Sequence, residues 1–539
     1  MQGLMMDCPL LTTEILKHAV LNFKSTEIVT RTVEGPIHRY TISDANERIC
    51  QLANALISIG VKAGDRVGVI GWNTYRQLEL YYAVGGIGAV LHTINPRLGI
   101  ENASYVINHA EDDWLFYDST FAPLVDMMMP QLPKVKGRYI LTDTEHGTPL
   151  KKDGVEIYDE LLEKADTQFD WPTFDENSAL AICYTSGTTG NPKGVVYSHR
   201  AIVLQTFATC LPSSLGLQEG DSLLPVVPMF HVNAWNTPYS CLMAGAKQVF
   251  PGPRLDGEGL YELLDQEKVT FSAGVPTVWL GLLEYLESTG KTLKHLKRGM
   301  SGGSALPEAL VRGLAKHGVD IQQGWGMTET APVGAINLLP PHLTDKPIDE
   351  TMSTRLKAGR ALPFFDMRIV NKEGHLLPRD GKSEGHLQVR GNWVVKEYFK
   401  AEKPTLTADG WFDTGDVATI DDDGFLEITD RAKDVIKTGG EWVSSIEIEN
   451  AALSHDEIVN AAVIGVFHPK WQERPLLIVV RKPGSKVEAD EIIEFLKGKL
   501  DKIAVPNAVE FVPSLPIGAT GKILKTELRK TFENYKLEA

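Results

Sequence analysis

The stretch from residue 184 to residue 194 constrains this chain more than any other part of its sequence. It reads Tyr-Thr-Ser-Gly-Thr-Thr-Gly-Asn-Pro-Lys-Gly and follows an apolar run at residues 180–183 that has the length of a buried strand. Its glycines allow sharp turns and let backbone N–H groups approach an anion, its hydroxyls add donors, and Lys193 adds positive charge. Because little in it suits a hydrophobic core, the stretch predicts a phosphate-binding loop after a strand.

The spacing of this loop differs from that of a Walker A loop. A Walker A loop needs Gly-Lys-Ser/Thr at the start of a helix, whereas here Pro192 precedes Lys193 and the Val-Val-Tyr sequence at 195–197 predicts a second strand. The alternative interpretation is a polar, glycine-rich surface turn. Eleven residues in this order directly after a strand favour a phosphate loop of another kind.

Length and composition limit the class of protein. A chain of 539 residues exceeds what one hydrophobic core serves, so at least two domains are expected. A hydrophobic fraction of 43% with 23% charged residues is typical of a soluble globular protein. The net charge of −16 argues against partners such as nucleic acid or an anionic membrane surface.

The cysteines and the N-terminal residues indicate the compartment. The five cysteines are scattered without a CxxC pair, so neither a zinc site nor a disulfide framework is predicted. The first residues lack the basic segment and long apolar core of a signal peptide, and no run approaches 18 apolar residues. We therefore expect a cytoplasmic protein without a membrane anchor.

Hydrophobic patterning predicts an α/β fold for the large N-terminal part. Apolar residues at helical spacing stop at Gly60, a strand follows at residues 65–70, and a second helix extends to Ile87. Similar alternation of strands and helices continues after the phosphate loop to about residue 277. Strands that alternate with helices predict doubly wound parallel sheets.

The pattern changes towards the C-terminus. From about Gly359, short alternating segments rich in Gly, Asp and Pro predict an antiparallel, barrel-like β subdomain. The tail predicts a small, mobile α+β domain with a helix at residues 491–500, whose acids cluster at its start and lysines at its end. The expected domains are therefore residues 1–432 and 433–539.

Four further segments are informative when they are considered together with the phosphate loop. They are Gly-Gly-Ser-Ala-Leu-Pro at 302–307, Gln-Gly-Trp-Gly-Met-Thr-Glu-Thr at 323–330, Gly-Trp-Phe-Asp-Thr-Gly-Asp at 410–416 with Asp-Arg-Ala-Lys-Asp at 430–434, and Gly-Ala-Thr-Gly-Lys-Ile at 518–523. Taken alone, each could be an ordinary turn, loop or helix start. In this order they resemble the adenylate-forming enzymes, the superfamily of acyl-CoA synthetases, luciferases and peptide-synthetase adenylation domains.

The resemblance implies an ATP site with Mg²⁺. It implies that Asp416 accepts hydrogen bonds from both ribose hydroxyls, that Arg431 also contacts the ribose, and that Thr328 contacts the α-phosphate. The implied metal ligands are Thr185 and Glu329. The full set implied for the nucleotide is Thr185, Ser186, Gly187, Thr188, Thr189, Lys193, Gly303, Ser304, Ala305, Gly324, Trp325, Gly326, Met327, Thr328, Asp416 and Arg431.

The resemblance also implies a reaction in two steps. In the first step Lys522 bridges the acid carboxylate and the phosphate of ATP, with Glu329 as a second catalytic residue, and acyl-AMP and pyrophosphate form. In the second step the small domain swings about a hinge at Lys433 and withdraws Lys522. The small domain then presents the residues Lys437, Gly439, Gly440 and Glu441 to coenzyme A.

Residues 231–235, His-Val-Asn-Ala-Trp, follow a predicted strand end, where ligands of open α/β sheets bind. By resemblance, His231 gates the acyl pocket and belongs to the catalytic set. The indole of Trp235 would fill space that a long chain needs, so a short or medium acid is predicted. Trp279 either lines this pocket or is ordinary core. The residues assigned to the pocket are His231, Trp235, Val275, Pro276 and Gly302.

Two segments narrow the resemblance within the superfamily. Residues 231–235 and 439–445 are most similar to the medium-chain-type ligases, including the bacterial 3-methylmercaptopropionate–CoA ligases of dimethylsulfoniopropionate breakdown. The expected activity is AMP-forming acid–CoA ligation, with 3-methylmercaptopropionate as the first candidate and butyrate to hexanoate as the alternative. Residues 468–475 depart from the His-Pro and Gly-Glu pattern of many superfamily members, which affects only the local coenzyme A contact.

Other functions stay open at this point. A carrier-loading enzyme would keep an amino-acid pocket, but no acidic residue follows Phe230 to hold an α-ammonium group. A luciferase-like oxidase would use the same adenylation without coenzyme A. A non-catalytic nucleotide-binding protein is disfavoured by the presence of Lys193, Glu329 and Lys522. The expected partners are a small carboxylic acid and coenzyme A, and a homodimer is also considered.

Overall fold

The computed structural model describes residues 1–185, 191–438, 441–518 and 522–537, without the side chains of residues 441 and 442. The strands of its two largest sheets all lie in the N-terminal part of the chain. In chain order they are β1 (Glu27–Arg31), β2 (Ile37–Thr41), β3 (Arg66–Ile70), β4 (Val90–Thr93), β5 (Trp114–Tyr117), β6 (Gly137–Ile140), β7 (Val155–Ile157), β8 (Ala179–Thr185), β9 (Lys193–Ser198), β10 (Ser222–Pro225), β11 (Lys247–Phe250), β12 (Phe271–Gly274), β13 (Arg298–Ser301), β14 (Asp320–Gly326), β15 (Val333–Ile336) and β16 (Arg360–Ala361).

The helices of this part alternate with the strands. They are α1 (Thr12–Phe23), α2 (Ile42–Ser58), α3 (Tyr75–Gly86), α4 (Gly99–Ala110), α5 (Ala122–Met128), α6 (Thr144–Gly147), α7 (Tyr158–Leu162), α8 (His199–Cys210), the single turn α9 (Val232–Trp235), α10 (Thr237–Ala244), α11 (Gly257–Gln266), α12 (Pro276–Thr289), α13 (Glu308–Lys316), α14 (Pro341–Thr344) and α15 (Ile348–Arg355). None of the helices in the described ranges is long and apolar enough to cross a membrane.

Two mostly parallel sheets form the large N-terminal domain. The seven-stranded sheet has the order β7-β6-β5-β3-β4-β8-β9, and every pair in it is parallel except β8 with β9. The nine-stranded sheet has the order β16-β15-β14-β13-β12-β10-β11-β1-β2, with parallel strands at its centre and antiparallel pairs at both ends. Its central strands are apolar and buried, as parallel strands covered by helices require. The predicted α/β fold with doubly wound sheets is confirmed.

The carboxyl ends of these strands carry the predicted motifs. β8 ends at Thr185 in the phosphate loop, β13 ends at Ser301 before Gly302, and β14 ends at Gly326 before Thr328. β10 and β12 similarly lead to His231 and to Val275. Since ligands of open α/β sheets bind outside the carboxyl ends of strands, the topology gathers the motifs at one place.

The region from residue 365 forms a four-stranded antiparallel sheet, as the alternating pattern predicts. Its strands are β17 (Phe365–Val370), β18 (Gly385–Gly391), β19 (Phe412–Ile420) and β20 (Leu426–Arg431), in that order. Asp416 and Arg431 are directly paired across β19 and β20. This register places an acid beside a cation on one face of the sheet.

The smaller C-terminal domain has its own five-stranded sheet and its own core. The sheet contains β21 (Ile436–Thr438), β22 (Glu441–Val443), β23 (Ile458–His468), β24 (Gln472–Arg481) and β25 (Ala508–Phe511), packed with α16 (Ser445–Leu453), α17 (Ala489–Lys497) and α18 (Lys525–Thr531). α17 begins two residues before the predicted helix because Glu488 caps it, with its N–H donating 3.4 Å to Glu491 Oε2.

Candidate active site

The phosphate loop is held between β8 and β9. Thr185 and Lys193 are the last cross-strand pair of this hairpin, so the loop starts and ends at the edge of the sheet. Of the predicted nucleotide residues, Ser186, Gly187, Thr188 and Thr189 lie outside the described residues. The Lys193 ammonium is exposed and lies 4.8 Å from the centroid of the Tyr398 ring.

Asp416 is the buried acid of the site. Its side chain is only 2% exposed, and its two oxygens accept hydrogen bonds from Arg431 Nε at 2.8 Å and from Trp325 Nε1 at 3.0 Å. Burial raises the pKa of Asp416 above its ordinary value, whereas the positive charge of Arg431 acts in the opposite direction. Each carboxylate oxygen keeps a further lone pair that can accept from a ligand hydroxyl.

Glu329 lies in the short turn Thr328–Thr330 that follows β14. The neighbouring carbonyl of Thr328 accepts 2.7 Å from the hydroxyl of Tyr197, and Glu329 Oε1 accepts 2.7 Å from the hydroxyl of Tyr398. The turn also packs beside β8, which ends at Thr185. Burial raises the pKa of Glu329. The two oxygen-bearing side chains predicted as metal ligands are thus carried by neighbouring elements.

Lys522 reaches this cluster from the C-terminal domain. A Cβ atom placed on Gly303 would lie 3.4 Å from both Lys522 Cε and Val275 Cγ1. Burial is the largest cause that lowers the pKa of Lys522, to about 8, and the charge of Arg431 lowers it further. The carboxylates of Asp416 and Glu329 act in the opposite direction. The ammonium therefore lies in the field of the acids that surround the predicted nucleotide.

His231 lies within the electrostatic influence of Lys522. Burial lowers the pKa of His231 to about 3, and the positive charge of Lys522 contributes to this shift. The imidazole is therefore neutral at physiological pH and can accept or donate a hydrogen bond without carrying charge. His231 therefore offers no negative charge to Lys522.

The segment after His231 has an unusual backbone. Val232, Asn233, Ala234, Trp235 and Asn236 have φ values of 48°, 53°, 48°, 55° and 60°, so α9 is a single left-handed turn. A left-handed residue other than glycine costs about 1 to 2 kcal/mol. The next helix, α10, begins at Thr237, because Asn236 still belongs to this turn.

Contacts at both ends hold this turn in place. Asn236 Nδ2 donates to the carbonyl of Ala331 at 3.2 Å. Upstream, Asn73 Nδ2 donates to the carbonyls of Pro225 and Val227, and Asn73 Oδ1 accepts 2.6 Å from the N–H of Met229. Asn73 was not predicted as a site residue, because an asparagine after a strand carries no signal of such a distant partner.

Trp235 lies against the strand end that carries Gly302. A Cβ atom placed on Gly302 would lie 3.0 Å from Trp235 Cη2 and 3.1 Å from the carbonyl oxygen of Gly324. A larger residue at position 302 would therefore force the indole or this backbone to shift by a few tenths of an ångström. Trp235 is 8% exposed, so it closes the space between the two predicted pocket segments.

Of the remaining residues considered for the pocket, Val275 and Pro276 lie at the site, whereas Trp279 lies in the hydrophobic core. Val275 faces Lys522 across Gly303, and Pro276 is the first residue of α12. Trp279 is 2% exposed, and its Nε1 donates 3.2 Å bonds to the carbonyls of Gly274 and Met300. It packs in the apolar cluster beneath the nine-stranded sheet, so the core alternative holds for Trp279.

Of the four residues predicted to contact coenzyme A, the structure describes Lys437 in full. Lys437 is exposed in β21, and its backbone N–H donates 2.8 Å to Glu473 Oε2. Within the described ranges, no hydrogen bond or ion pair joins Lys437 to the residues around Lys522. Gly439 and Gly440 lie outside the described residues, as does the side chain of Glu441. The predicted hinge residue Lys433 is exposed between β20 and β21.

Two tyrosines of the site were missed by sequence reasoning. Tyr197 lies in β9 and Tyr398 lies in the loop between β18 and β19, and both donate hydrogen bonds to the turn around Glu329. Neither belongs to a motif with a recognisable spacing. Only the fold brings them to the carboxyl end of β14.

Two family models match the chain. They are the AMP-binding enzyme, over residues 16–399, and the AMP-binding enzyme C-terminal domain, over residues 447–522. Among solved structures, an anthranilate CoA ligase in complex with anthranoyl-AMP matches with a TM-score of 0.88 at 24% identity, covering 98% of both chains. At that identity the match shows a common fold.

Curated relatives match over nearly their whole length. A 3-methylmercaptopropionyl-CoA ligase of Ruegeria lacuscaerulensis is 46% identical over 99% of both chains. A medium-chain-fatty-acid–CoA ligase of Ectopseudomonas oleovorans is 45% identical over 100% of this chain and 99% of its own. A long-chain-fatty-acid–CoA ligase of Thermus thermophilus is 45% identical over 98% and 97%. These relatives differ in the acid named and agree in the class of reaction.

Proposed function

The chain belongs to the AMP-binding enzyme family, and on that premise we propose that it is an AMP-forming acid–CoA ligase for a short or medium carboxylic acid. The reaction converts acid and ATP to acyl-AMP and pyrophosphate, and then acyl-AMP and coenzyme A to acyl-CoA and AMP. The observation that carries this proposal is the position of Lys522. It reaches from the C-terminal domain to Val275 and Gly303, in the field of Asp416 and Glu329.

In the first step a carboxylate oxygen of the acid attacks the α-phosphorus of ATP, and pyrophosphate leaves. Two anions must approach each other, so positioned positive charge lowers the barrier. Lys522 neutralises the carboxylate and the α-phosphate together, whereas Lys193 and the 186–190 loop receive the leaving pyrophosphate. His231 stays neutral and borders the acid.

The nucleoside end of ATP is assigned to the pair of β19 and β20. Asp416 accepts from the ribose hydroxyls, because its oxygens keep free lone pairs while Arg431 and Trp325 hold the carboxylate in place. The backbone of residues 303–305 and 324–327 borders the adenine and the phosphates. Removal of the Asp416 carboxylate should therefore weaken ATP binding more than acid binding.

The site suits Mg²⁺ as a cofactor. Thr185 and Glu329 offer hydroxyl and carboxylate oxygens on neighbouring elements, and hard oxygen donors with substrate phosphates are the ligands that Mg²⁺ prefers. When bound, the ion would neutralise phosphate charge as pyrophosphate leaves. Glu329 and Thr185 would hold it at the end of the site nearest to Lys193.

In the second step the thiol of coenzyme A attacks the acyl carbon, its proton is lost, and AMP leaves. A lysine held against the adenylate has no role here, so the C-terminal domain rotates about Lys433 and withdraws Lys522. The domains that move are residues 1–432 and 433–539. We assign Lys437, which is exposed in β21, together with Gly439, Gly440 and Glu441, to the contact with the pantetheine.

The first candidate for the acid is 3-methylmercaptopropionate, and butyrate to hexanoate are the alternatives. A relative at 46% identity is named for 3-methylmercaptopropionyl-CoA, and the indole of Trp235 packed against Gly302 favours an acid that is short. An apolar pocket discriminates one methylene by only about 1 to 3 kcal/mol, so several short acids should react. A homodimer and a cytoplasmic location are further proposals, and light scattering tests the first of them.

The experiment is AMP release with ATP, Mg²⁺ and coenzyme A across acids from acetate to decanoate, with 3-methylmercaptopropionate, benzoate and amino acids included. A maximum in kcat/KM at about four to six chain atoms, with 3-methylmercaptopropionate among the best, is expected. A maximum at decanoate or benzoate would keep the ligase and overturn the pocket. AMP formation without coenzyme A would move the protein to the luciferase-like or carrier-loading branch.

A further inference from the structure

Residues 395–399 connect the turn that carries Glu329 with the hairpin that carries the phosphate loop, at the metal and phosphate end of the site. At one end of this segment, the N–H of Val395 donates 2.7 Å to the carbonyl of Glu329. At the other end, the N–H of Phe399 donates 2.8 Å to the carbonyl of Gly194, the second residue of β9. The segment therefore spans from the turn after β14 to the strand that closes the phosphate loop.

Tyr398 uses both its hydroxyl and its ring in this position. The hydroxyl donates 2.7 Å to Glu329 Oε1, while the ring face carries the Lys193 ammonium at 4.8 Å from its centroid. The backbone N–H of Tyr398 donates to Thr405 Oγ1, and the ring packs edge-on against Phe412. One half-buried side chain thus contacts a carboxylate and an ammonium that are both assigned to ATP.

Without this side chain the two charged groups would be free to pair. Opposite charges attract even when one of them is exposed, as Lys193 is, and an ion pair would occupy the oxygens and the ammonium protons that ligands need. In the part of the chain that the structure describes, no ion pair joins Lys193 and Glu329. The phenol satisfies one carboxylate oxygen by a hydrogen bond, and the ring offers the ammonium a cation–π contact that is easily exchanged for phosphate.

We propose that Tyr398 is a positioning residue that keeps the Glu329 carboxylate and the Lys193 ammonium apart, so that each stays available to its own part of Mg²⁺-bound ATP. This inference rests on the proposed function, because it concerns the ATP end of the same site. Tyr398 does not touch the reacting atoms. It acts through Glu329 by its hydroxyl and through Lys193 by its ring.

The two contacts can be removed one at a time. Tyr398→Phe deletes the hydroxyl and keeps the ring, so it should raise the Mg²⁺ concentration for half-maximal ATP–pyrophosphate exchange by about tenfold, as loss of a hydrogen bond to a charged group predicts. The KM for pyrophosphate should stay within about twofold of wild type, because the Lys193 contact is kept. Tyr398→Leu deletes both contacts and should raise the Mg²⁺ requirement and the KM for pyrophosphate together.

A double substitution separates positioning from general damage. In Tyr398→Leu the ammonium can pair with Glu329, and adding Lys193→Met removes that ammonium. The Mg²⁺ requirement of the double variant should therefore fall back towards that of Tyr398→Phe, even though pyrophosphate binding stays weak. A merely structural role for Tyr398 would make the double variant worse in both respects.

Tyr285→Phe is the matched control. The Tyr285 hydroxyl lies 2.6 Å from Lys291 Nζ, and its ring carries the same ammonium at 5.0 Å, at an exposed place outside the site. This substitution removes a comparable hydroxyl from a lysine–tyrosine contact. It should leave the Mg²⁺ requirement and the pyrophosphate KM unchanged.

ATP binding provides a measurement that does not depend on turnover. Calorimetric titration of each full-length variant with ATP, once with Mg²⁺ and once with EDTA, should show that Tyr398→Phe loses most of the Mg²⁺-dependent gain in affinity and little affinity in EDTA. Equal Mg²⁺-dependent gains in Tyr398→Phe and wild type would overturn the proposal. If Tyr398→Leu fails to fold, Tyr398→Phe alone decides. A wild-type protein that binds ATP but forms no acyl-CoA would refute the proposed function and leave this binding test intact.

Discussion

The backbone N–H of Ser445 donates a 2.6 Å hydrogen bond to Asp430 Oδ2, across the boundary between the large and the small domain. Asp430 lies in β20, whereas Ser445 is the first residue of α16. Ser445 Oγ adds a 3.0 Å bond to Asp430 Oδ1, and Lys525 Nζ donates 2.6 Å to that same hydroxyl. Ser444 is the N-cap of α16, and the Asp430 carboxylate accepts the free N–H of the first helical residue, in the orientation that delivers Lys522 to the site.

Asp430→Ala should therefore destabilise the orientation with Lys522 inserted. The loss of a carboxylate that accepts an N–H at a helix N-terminus costs about 1 to 2 kcal/mol, so acyl-AMP formation should slow by about 5- to 30-fold. Thioester formation from supplied acyl-AMP should be unchanged or faster, because it needs the other orientation. Rapid-quench assays of the two half-reactions measure this ratio. Asp423→Ala, at an exposed position of the same sheet, is the control that should change neither.

Lys522→Ala should separate the two half-reactions most strongly. Acid-dependent ATP–pyrophosphate exchange should be lost, because we assign the bridge between the carboxylate and the α-phosphate to Lys522. Conversion of supplied acyl-AMP to acyl-CoA should be retained, since the proposed rotation withdraws Lys522 in that step. Equal loss of both activities, in a variant with a wild-type melting temperature, would refute its assignment to adenylation.

The pH dependence of adenylation should report Lys522. Burial lowers its pKa to about 8 in the free enzyme, so the charged form is present below about pH 8 and is lost as the pH rises through that value. The kcat/KM for ATP in the exchange reaction reflects the free enzyme and should fall above about pH 8. His231, with a pKa of about 3, should add no titration between pH 5 and 8.

The control for this pH profile is Lys522→Arg. A guanidinium does not titrate in this range, so whatever activity the variant keeps should lack the fall above pH 8. A basic limb that persists in the arginine variant would assign the titration to another group. If kcat/KM of the wild type instead falls near the ordinary pKa of lysine, burial does not act on Lys522 in solution.

The motifs were predictable because short stretches of sequence are enough to identify them. Glycines, hydroxyls and a lysine between two strands identify the loop that Thr185 and Lys193 close, and strand–helix alternation identifies the parallel sheets. The core position of Trp279 stayed open, because a buried indole fits a pocket and a core equally well from sequence. Its two hydrogen bonds to strand-end carbonyls decide for the core.

The site geometry that sequence could not supply depends on distant contacts. A left-handed turn at residues 232–236 contradicts the local preference of Val232, Ala234 and Trp235, so burial and contacts with distant residues, such as the Asn236 bond to Ala331, stabilise it. Tyr398 lies between a lysine and a glutamate that come from two different strand ends. Neither relationship has a spacing that could be read before the chain is folded.

Trp235→Ala should shift the preference of the enzyme to longer acids. The indole lies against Gly302, so its removal opens the space between the left-handed turn and the end of β13. Acids longer by several methylenes should gain, and 3-methylmercaptopropionate or butyrate should lose about 1 to 3 kcal/mol in kcat/KM, because the cavity no longer contacts them. The measurement is the acid panel, repeated with Trp279→Phe, a core substitution beneath the same sheet that should lower the melting temperature without shifting the preferred length. An unchanged preference in Trp235→Ala would remove Trp235 from the acyl pocket and leave the left-handed turn without an assigned role in specificity.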